Sequence, residues 1–241
     1  NRYKITISDL EKYTTSKTVA LILNNPSNPT GVLYNKEELL RLSTWCKDKG
    51  VVVIADEVYE RIVFSGRTFT SVASLSKDIY ENTITINGLS KSHCMTGWRI
   101  GYAAGPTNII KAMTKSQSHL LSHIPTFLQH AGVVALNEDS YIPPMIKAYE
   151  ERINTALTLI KEYMPLSTCV EPDGAFYLFP SIDKYIGRSY NGKKITGSID
   201  LATFILEEAN VAVVPGIAFG MDNNIRFSVA TSLDEIREGI K

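Results

Sequence analysis

Three segments of strand length, the first two continuously apolar and each ending in polar or charged residues, constrain this chain most. Val19-Ala20-Leu21-Ile22-Leu23 runs into Asn24-Asn25-Pro26-Ser27-Asn28-Pro29-Thr30-Gly31. Val51-Val52-Val53-Ile54-Ala55 runs into Asp56-Glu57-Val58-Tyr59, and Thr83-Ile84-Thr85-Ile86-Asn87 into Gly88-Leu89-Ser90-Lys91. A continuous apolar run suits a strand buried on both faces, as in a parallel sheet. Between the first two runs, residues 36–49 carry helical periodicity. Leu39, Leu40, Leu42, Trp45 and Cys46 fall near one face, and Gly50 is the stop. Strand, helix and strand with a right-handed crossover make a βαβ unit. In open α/β sheets, ligands bind outside the carboxyl ends of the strands. Chemistry is therefore expected at Asn28, Asp56, Tyr59 and Lys91.

The rest of the chain extends this plan. A fourth strand is expected over 98–104 and carries Arg99. The link before it is too short for a helical crossover, so it is expected to run antiparallel. Residues 106–137 read as two helices broken at Pro125. Residues 140–163 read as one long helix opened by Pro143-Pro144, with Ile146, Tyr149, Ile153, Leu157 and Ile160 on one face. Beyond it, strands at 176–179, 211–214 and 225–229 alternate with a helix at 201–209, an α+β pattern. The fold class is α/β: a mostly parallel sheet sandwiched by helices over 1–142, then a C-terminal α+β small domain over 143–241. The helix at about 143–163 links the two.

Charge and cysteine usage exclude several function classes. Lysine plus arginine and aspartate plus glutamate balance at 25 each. A nucleic-acid or membrane-surface partner would favour a basic excess. No run approaches the length of a membrane-spanning helix, and Asn1-Arg2-Tyr3-Lys4 lacks the apolar core of a signal peptide. Three widely spaced cysteines suit a reducing cytoplasm better than a disulfide framework, and no C-x-x-C zinc pattern occurs.

Each candidate residue, taken alone, has a plain alternative. A lysine amine forms Schiff bases with carbonyls, yet most lysines are solvated surface groups. Asp56 follows five apolar residues, and a buried carboxylate needs a partner, commonly a cation; it also suits a helix cap. Tyr59 aims a phenol at the same ligand or belongs to the core. Asn28 offers an amide or simply forms a turn. Arg226, between Ile225 and Phe227, suits bidentate capture of a carboxylate or lies on an exposed edge. His119 and His123 have metal-ligand spacing without a third ligand. Ser90-Lys91 as a hydrolase dyad lacks a second serine.

Together these elements resemble a family. Asn28-Pro29-Thr30-Gly31, Asp56-Glu57-Val58-Tyr59, Ser90-Lys91 with Gly97-Trp98-Arg99-Ile100-Gly101-Tyr102, and Arg226 occur in order over essentially the whole chain. The chain resembles the fold-type I pyridoxal 5'-phosphate (PLP) aminotransferases of classes I and II, and is most similar to prokaryotic aspartate aminotransferases. The resemblance implies that Lys91 holds PLP covalently and moves the substrate proton. Asp56 would pair with the pyridine nitrogen, and Tyr59 and Asn28 would bond the ring's 3-oxygen. Arg99 and Ser90 would bind the phosphate, and Arg226 with Asn28 the substrate carboxylate. It also implies amino-acid and 2-oxo-acid substrates, a cytoplasmic homodimer, and no metal, nucleic acid or membrane partner.

The chain also departs from the family pattern. Many members carry a serine three residues before the lysine, where this chain has Gly88, leaving Ser90 as the substitute. The glycine- and serine-rich phosphate turn, the residue stacked on the cofactor ring and the N-terminal arm have no counterpart here. We therefore expect an N-terminally truncated chain that by itself binds PLP weakly. Alternatives on the same scaffold are a PLP-dependent β-lyase or synthase, or a non-catalytic PLP-sensing or inert fragment.

Overall fold

A computed structural model of the chain describes residues 3–241. In order, the elements are α1 (Ile7–Tyr13), β1 (Ala20–Asn24), α2 (Lys36–Asp48), β2 (Val52–Asp56), α3 (Lys77–Tyr80), β3 (Thr83–Gly88), α4 (Leu89–Ser92) and β4 (Gly101–Ala104). Then follow α5 (Thr107–Leu120), α6 (Thr126–Asn137), α7 (Ile142–Tyr163), β5 (Tyr177–Leu178), β6 (Ser189–Tyr190) and β7 (Lys193–Lys194). The chain closes with α8 (Ser198–Ala209), β8 (Val214–Pro215), β9 (Ile225–Ser228) and α9 (Leu233–Ile240). No helix among the described residues is long and apolar enough to cross a membrane.

Among the described residues the chain forms two compact units, one of 3–26 and 33–144, the other of 27–32 and 145–241. The first is an α/β layer built on a four-stranded sheet of order β1-β2-β3-β4. β1–β2 and β2–β3 are parallel, and β3–β4 is antiparallel, as expected. Its core gathers Leu23, Val53 and Ala55 from the strands with Leu39, Leu42 and Cys46 from α2. Each of the leucine and valine side chains contributes about 1.5–3 kcal/mol by leaving water. Leu40 falls on the solvent side of α2 at 42% exposure. Asn35 caps α2 reciprocally with Glu38, which fixes where the crossover helix starts.

The second unit carries a three-stranded antiparallel sheet of order β5-β9-β8. Ile182, Ile195, Leu201 and Ile225 form its core. On α7, Tyr149, Ile153, Ala156 and Ile160 are buried at helical spacing. Segment 27–32 joins this unit through the 172–174 loop. The Gly31 carbonyl accepts from the amides of Asp173 and Gly174 at 2.8 and 3.0 Å. Gly31 has φ +68°, and a Cβ there would lie 2.3 Å from Pro172 Cβ. Only glycine meets both demands.

Candidate active site

The parallel ladder puts several polar groups at one rim. Asn24 pairs with Asp56 across β1–β2, and Asp56 with Ile86 across β2–β3. The main chain continues past the strands in the same register: the Asn25 amide donates to the Asp56 carbonyl at 3.0 Å, and the Glu57 amide to the Ile86 carbonyl at 2.9 Å. Asp56 and Lys91 therefore leave neighbouring strands at the same end of the sheet. The Asp56 carboxylate is half-buried and accepts from the Val58 amide at 3.3 Å. Among the described residues no cation pairs with it. Tyr59 follows in the buried turn. Glu57 is buried, accepts from Ser71 Oγ and the Val72 amide, and burial pushes its carboxyl above the ordinary range.

Lys91 sits half-buried on α4, a single helical turn rather than an open loop, with Ser90 beside it. Gly88 ends β3 opposite Gly101. A Cβ at Gly88 would lie 2.9 Å from the Ile100 carbonyl oxygen and 3.2 Å from Gly101 Cα, both backbone atoms. Any side chain at this position would press on the backbone of the neighbouring strand.

The expected strand over 98–104 needs correction. Thr96–Trp98 is a 3₁₀ turn, Arg99 is left-handed at φ +54°, and the strand begins only at Gly101. Arg99 is exposed, and its Nη1 donates to the Thr96 carbonyl at 2.5 Å. That bond closes the turn on the arginine's own side chain, which strand patterning does not register. The Leu89 amide donates to the Ile100 carbonyl at 3.2 Å, so Arg99 still lies beside the turn that bears Lys91.

In the second unit, Arg226 lies on β9, the central strand, opposite Val214. The edge alternative left open by the sequence therefore does not hold. Arg226 Nη1 donates to Asn28 Oδ1 at 2.8 Å. The guanidinium stands 4.5 Å from the Tyr177 ring and 5.2 Å from the Phe219 ring, so two aromatic faces and one amide orient it. Its Nε is buried with no acceptor among the described residues. Buried donors are ordinarily satisfied, so this N–H is an exception within the site. Tyr177 and Phe219 were not singled out from the sequence, because their role arises only where they meet Arg226.

His119 and His123 do not share a helix, since α5 ends at Leu120, and His123 Nδ1 lies 2.8 Å from the Ile124 carbonyl. Among the described residues no group of three His, Cys, Asp or Glu side chains is placed to hold a metal.

Comparison with known proteins identifies the family and the fold. The family model described as aminotransferase class I and II matches residues 1–241. The chain is 43% identical over 242 residues to the aspartate aminotransferase of Bacillus subtilis, covering 100% of this chain and 60% of that relative. It is 40% identical over 242 residues to the asparagine–oxo-acid transaminase of Streptococcus mutans, again covering 100% and 60%. Among solved structures, the aspartate aminotransferase of Rhizobium meliloti superposes with a TM-score of 0.91 at 36% identity, over 98% of this chain and 60% of that one. The aromatic aminotransferase of Pyrococcus horikoshii gives 0.91 at 36% identity, over 99% and 62%. The chain thus spans about 60% of the length of these relatives. Its fold is that of PLP-dependent aminotransferases, and the chain belongs to the class I and II aminotransferase family.

Proposed function

We propose that the protein carrying this chain is a PLP-dependent transaminase, moving an amino group from a small amino acid, aspartate first among them, to a 2-oxo acid. The observation that carries the reading is the rim of the parallel sheet. There Asp56 ends β2 with no cationic partner among the described residues, and Lys91 rides the turn that leaves β3. The residues fit the cofactor: a protonated ring nitrogen is the cation that Asp56 lacks. The names of the relatives support the substrate class.

When bound, PLP supplies a conjugated ring into which the electron pair left on a substrate α-carbon spreads. Asp56 would hold the proton on the ring nitrogen, because its carboxylate favours the charged ring. Lys91 Nζ would hold the cofactor at its aldehyde carbon, and then take the proton from the substrate α-carbon and return it. Tyr59 would donate its phenol to the ring's 3-oxygen. Ser90 and Arg99 would bind the phosphate, Arg99 as a planar fork. Arg226 would receive the substrate α-carboxylate on Nε and the donors that Asn28 does not take, while Asn28 keeps the fork from rotating. Orientation of the breaking C–H bond would follow from that grip.

We read residues 1–142 as the cofactor-holding part and 143–241 as the small domain, in a cytoplasmic homodimer. Three free cysteines and balanced charge support the compartment. A half-reaction tests the function. Aspartate alone should bleach the cofactor's visible band, and 2-oxoglutarate should restore it. Release of ammonia with no restoration would move the reading to a lyase.

A further inference from the structure

Lys91 rides a turn too short to hold itself. α4 has four residues, and its outgoing closures are the His93 and Met95 amides on the Leu89 carbonyl, at 3.2 and 3.3 Å, and the Cys94 amide on the Lys91 carbonyl, at 3.4 Å. A single helical turn is unstable alone, so the lysine's position must be set from outside. Two attachments do so, one on each side of Lys91. Two residues before it, Leu89 is 1% exposed and packs where Gly132 of α6 leaves room. A Cβ on Gly132 would sit 3.6 Å from Leu89 Cδ1. Two residues after it, His93 is 8% exposed, and its Nε2 lies 3.0 Å from the Ala135 carbonyl in the last turn of α6. Gly132 and Ala135 are three apart and share a helix face.

The partners fix the tautomer of His93. A carbonyl only accepts, so Nε2 carries the hydrogen. In the neutral ring Nδ1 then accepts, and the buried Ser92 Oγ, 2.7 Å away, donates to it. Burial is the main influence favouring this uncharged ring. The ring also meets the edge of Tyr141 at 5.9 Å and 68°. One imidazole thus ties the residue next to Lys91 to a last-turn carbonyl of α6, which also accepts from the Glu138 amide at 3.2 Å.

We infer that His93 is a positioning residue for Lys91, locking the turn that bears the lysine onto the end of α6 through its Nε2–H. The inference rests on the proposed role of Lys91. His93→Phe keeps the ring and the Tyr141 contact but removes both nitrogens. His93→Gln keeps a donor at the position of Nε2. The unliganded 241-residue chain is compared by amide hydrogen exchange, and by PLP labelling trapped with borohydride and mapped by peptide mass. In His93→Phe the amides of 93–95 should exchange roughly tenfold faster, the loss of one hydrogen bond. Labelling of Lys91 should fall on the order of tenfold to a hundredfold, as for a misplaced reacting group. His93→Gln should recover most of both. Unchanged exchange in His93→Phe overturns the inference. If the parent chain labels elsewhere than Lys91, the role of Lys91 fails while the exchange arm still decides the clamp. Ring nitrogen NMR of the parent decides it without any variant: an Nδ1-protonated neutral ring contradicts the geometry.

Discussion

Arg226 Nη1 donates to Asn28 Oδ1 at 2.8 Å across 198 positions of sequence. The bond joins the Asn-Pro-Thr-Gly turn to the central strand of the C-terminal sheet, inside one compact unit. Tyr177 and Phe219 lie against the guanidinium, and its buried Nε has no acceptor among the described residues.

Replacing Arg226 with lysine removes the fork and both stacking faces while keeping the charge. In the proposed transaminase, kcat/KM for the amino acid should fall by about a hundredfold, mostly through KM, as the loss of a buried charged contact of about 2–5 kcal/mol implies. Steady-state kinetics with aspartate measures it. A KM within twofold of the parent would remove Arg226 from the carboxylate site.

The second prediction concerns Gly88. Serine at this position would press its Cβ on the Ile100 carbonyl oxygen and on Gly101 Cα, neither of which yields without moving β4. Gly88→Ser should lower stability by about 1–3 kcal/mol, the usual penalty of overpacking. Urea unfolding reads it, and a midpoint equal to the parent's would show that the strands separate freely here.

Burial lowers the pKa of His93 below its ordinary 6.5. A base with a depressed folded pKa binds its proton less readily when folded than when unfolded. Its contribution to stability is full above pH 6.5 and is lost as the pH falls through the lowered folded value. Melting temperatures of the parent should therefore drop between neutrality and mild acid more than those of His93→Phe. Parallel curves for the two proteins would contradict the assignment.

How much of this was legible depends on whether a feature is local. The runs ending at Asn24, Asp56 and Gly88 mark three strands by composition, and their shared rim follows from topology; burial on both faces does not hold for β1, where Leu23 is buried but Ile22 is 72% exposed. The turn at Arg99 was hidden, because its left-handed backbone is closed by its own side chain on Thr96. The hairpin of β6 and β7 was overlooked although Asn191-Gly192, both at positive φ, mark it. The grouping of 27–32 with the C-terminal unit rests on Gly31 meeting a loop some 140 residues away, which no local pattern encodes. Arg226 was visible as an arginine in an apolar strand. Its central place needed the order β5-β9-β8, and its aromatic walls needed the fold.

Trapping the cofactor on the chain tests the central claim most directly. The 241-residue chain is incubated with excess PLP, reduced with borohydride, digested and mapped by peptide mass. The account predicts that Lys91 carries more label than any other lysine, and that Asp56→Ala lowers that excess. Label spread over exposed lysines, with Lys91 no higher than the rest, would contradict it.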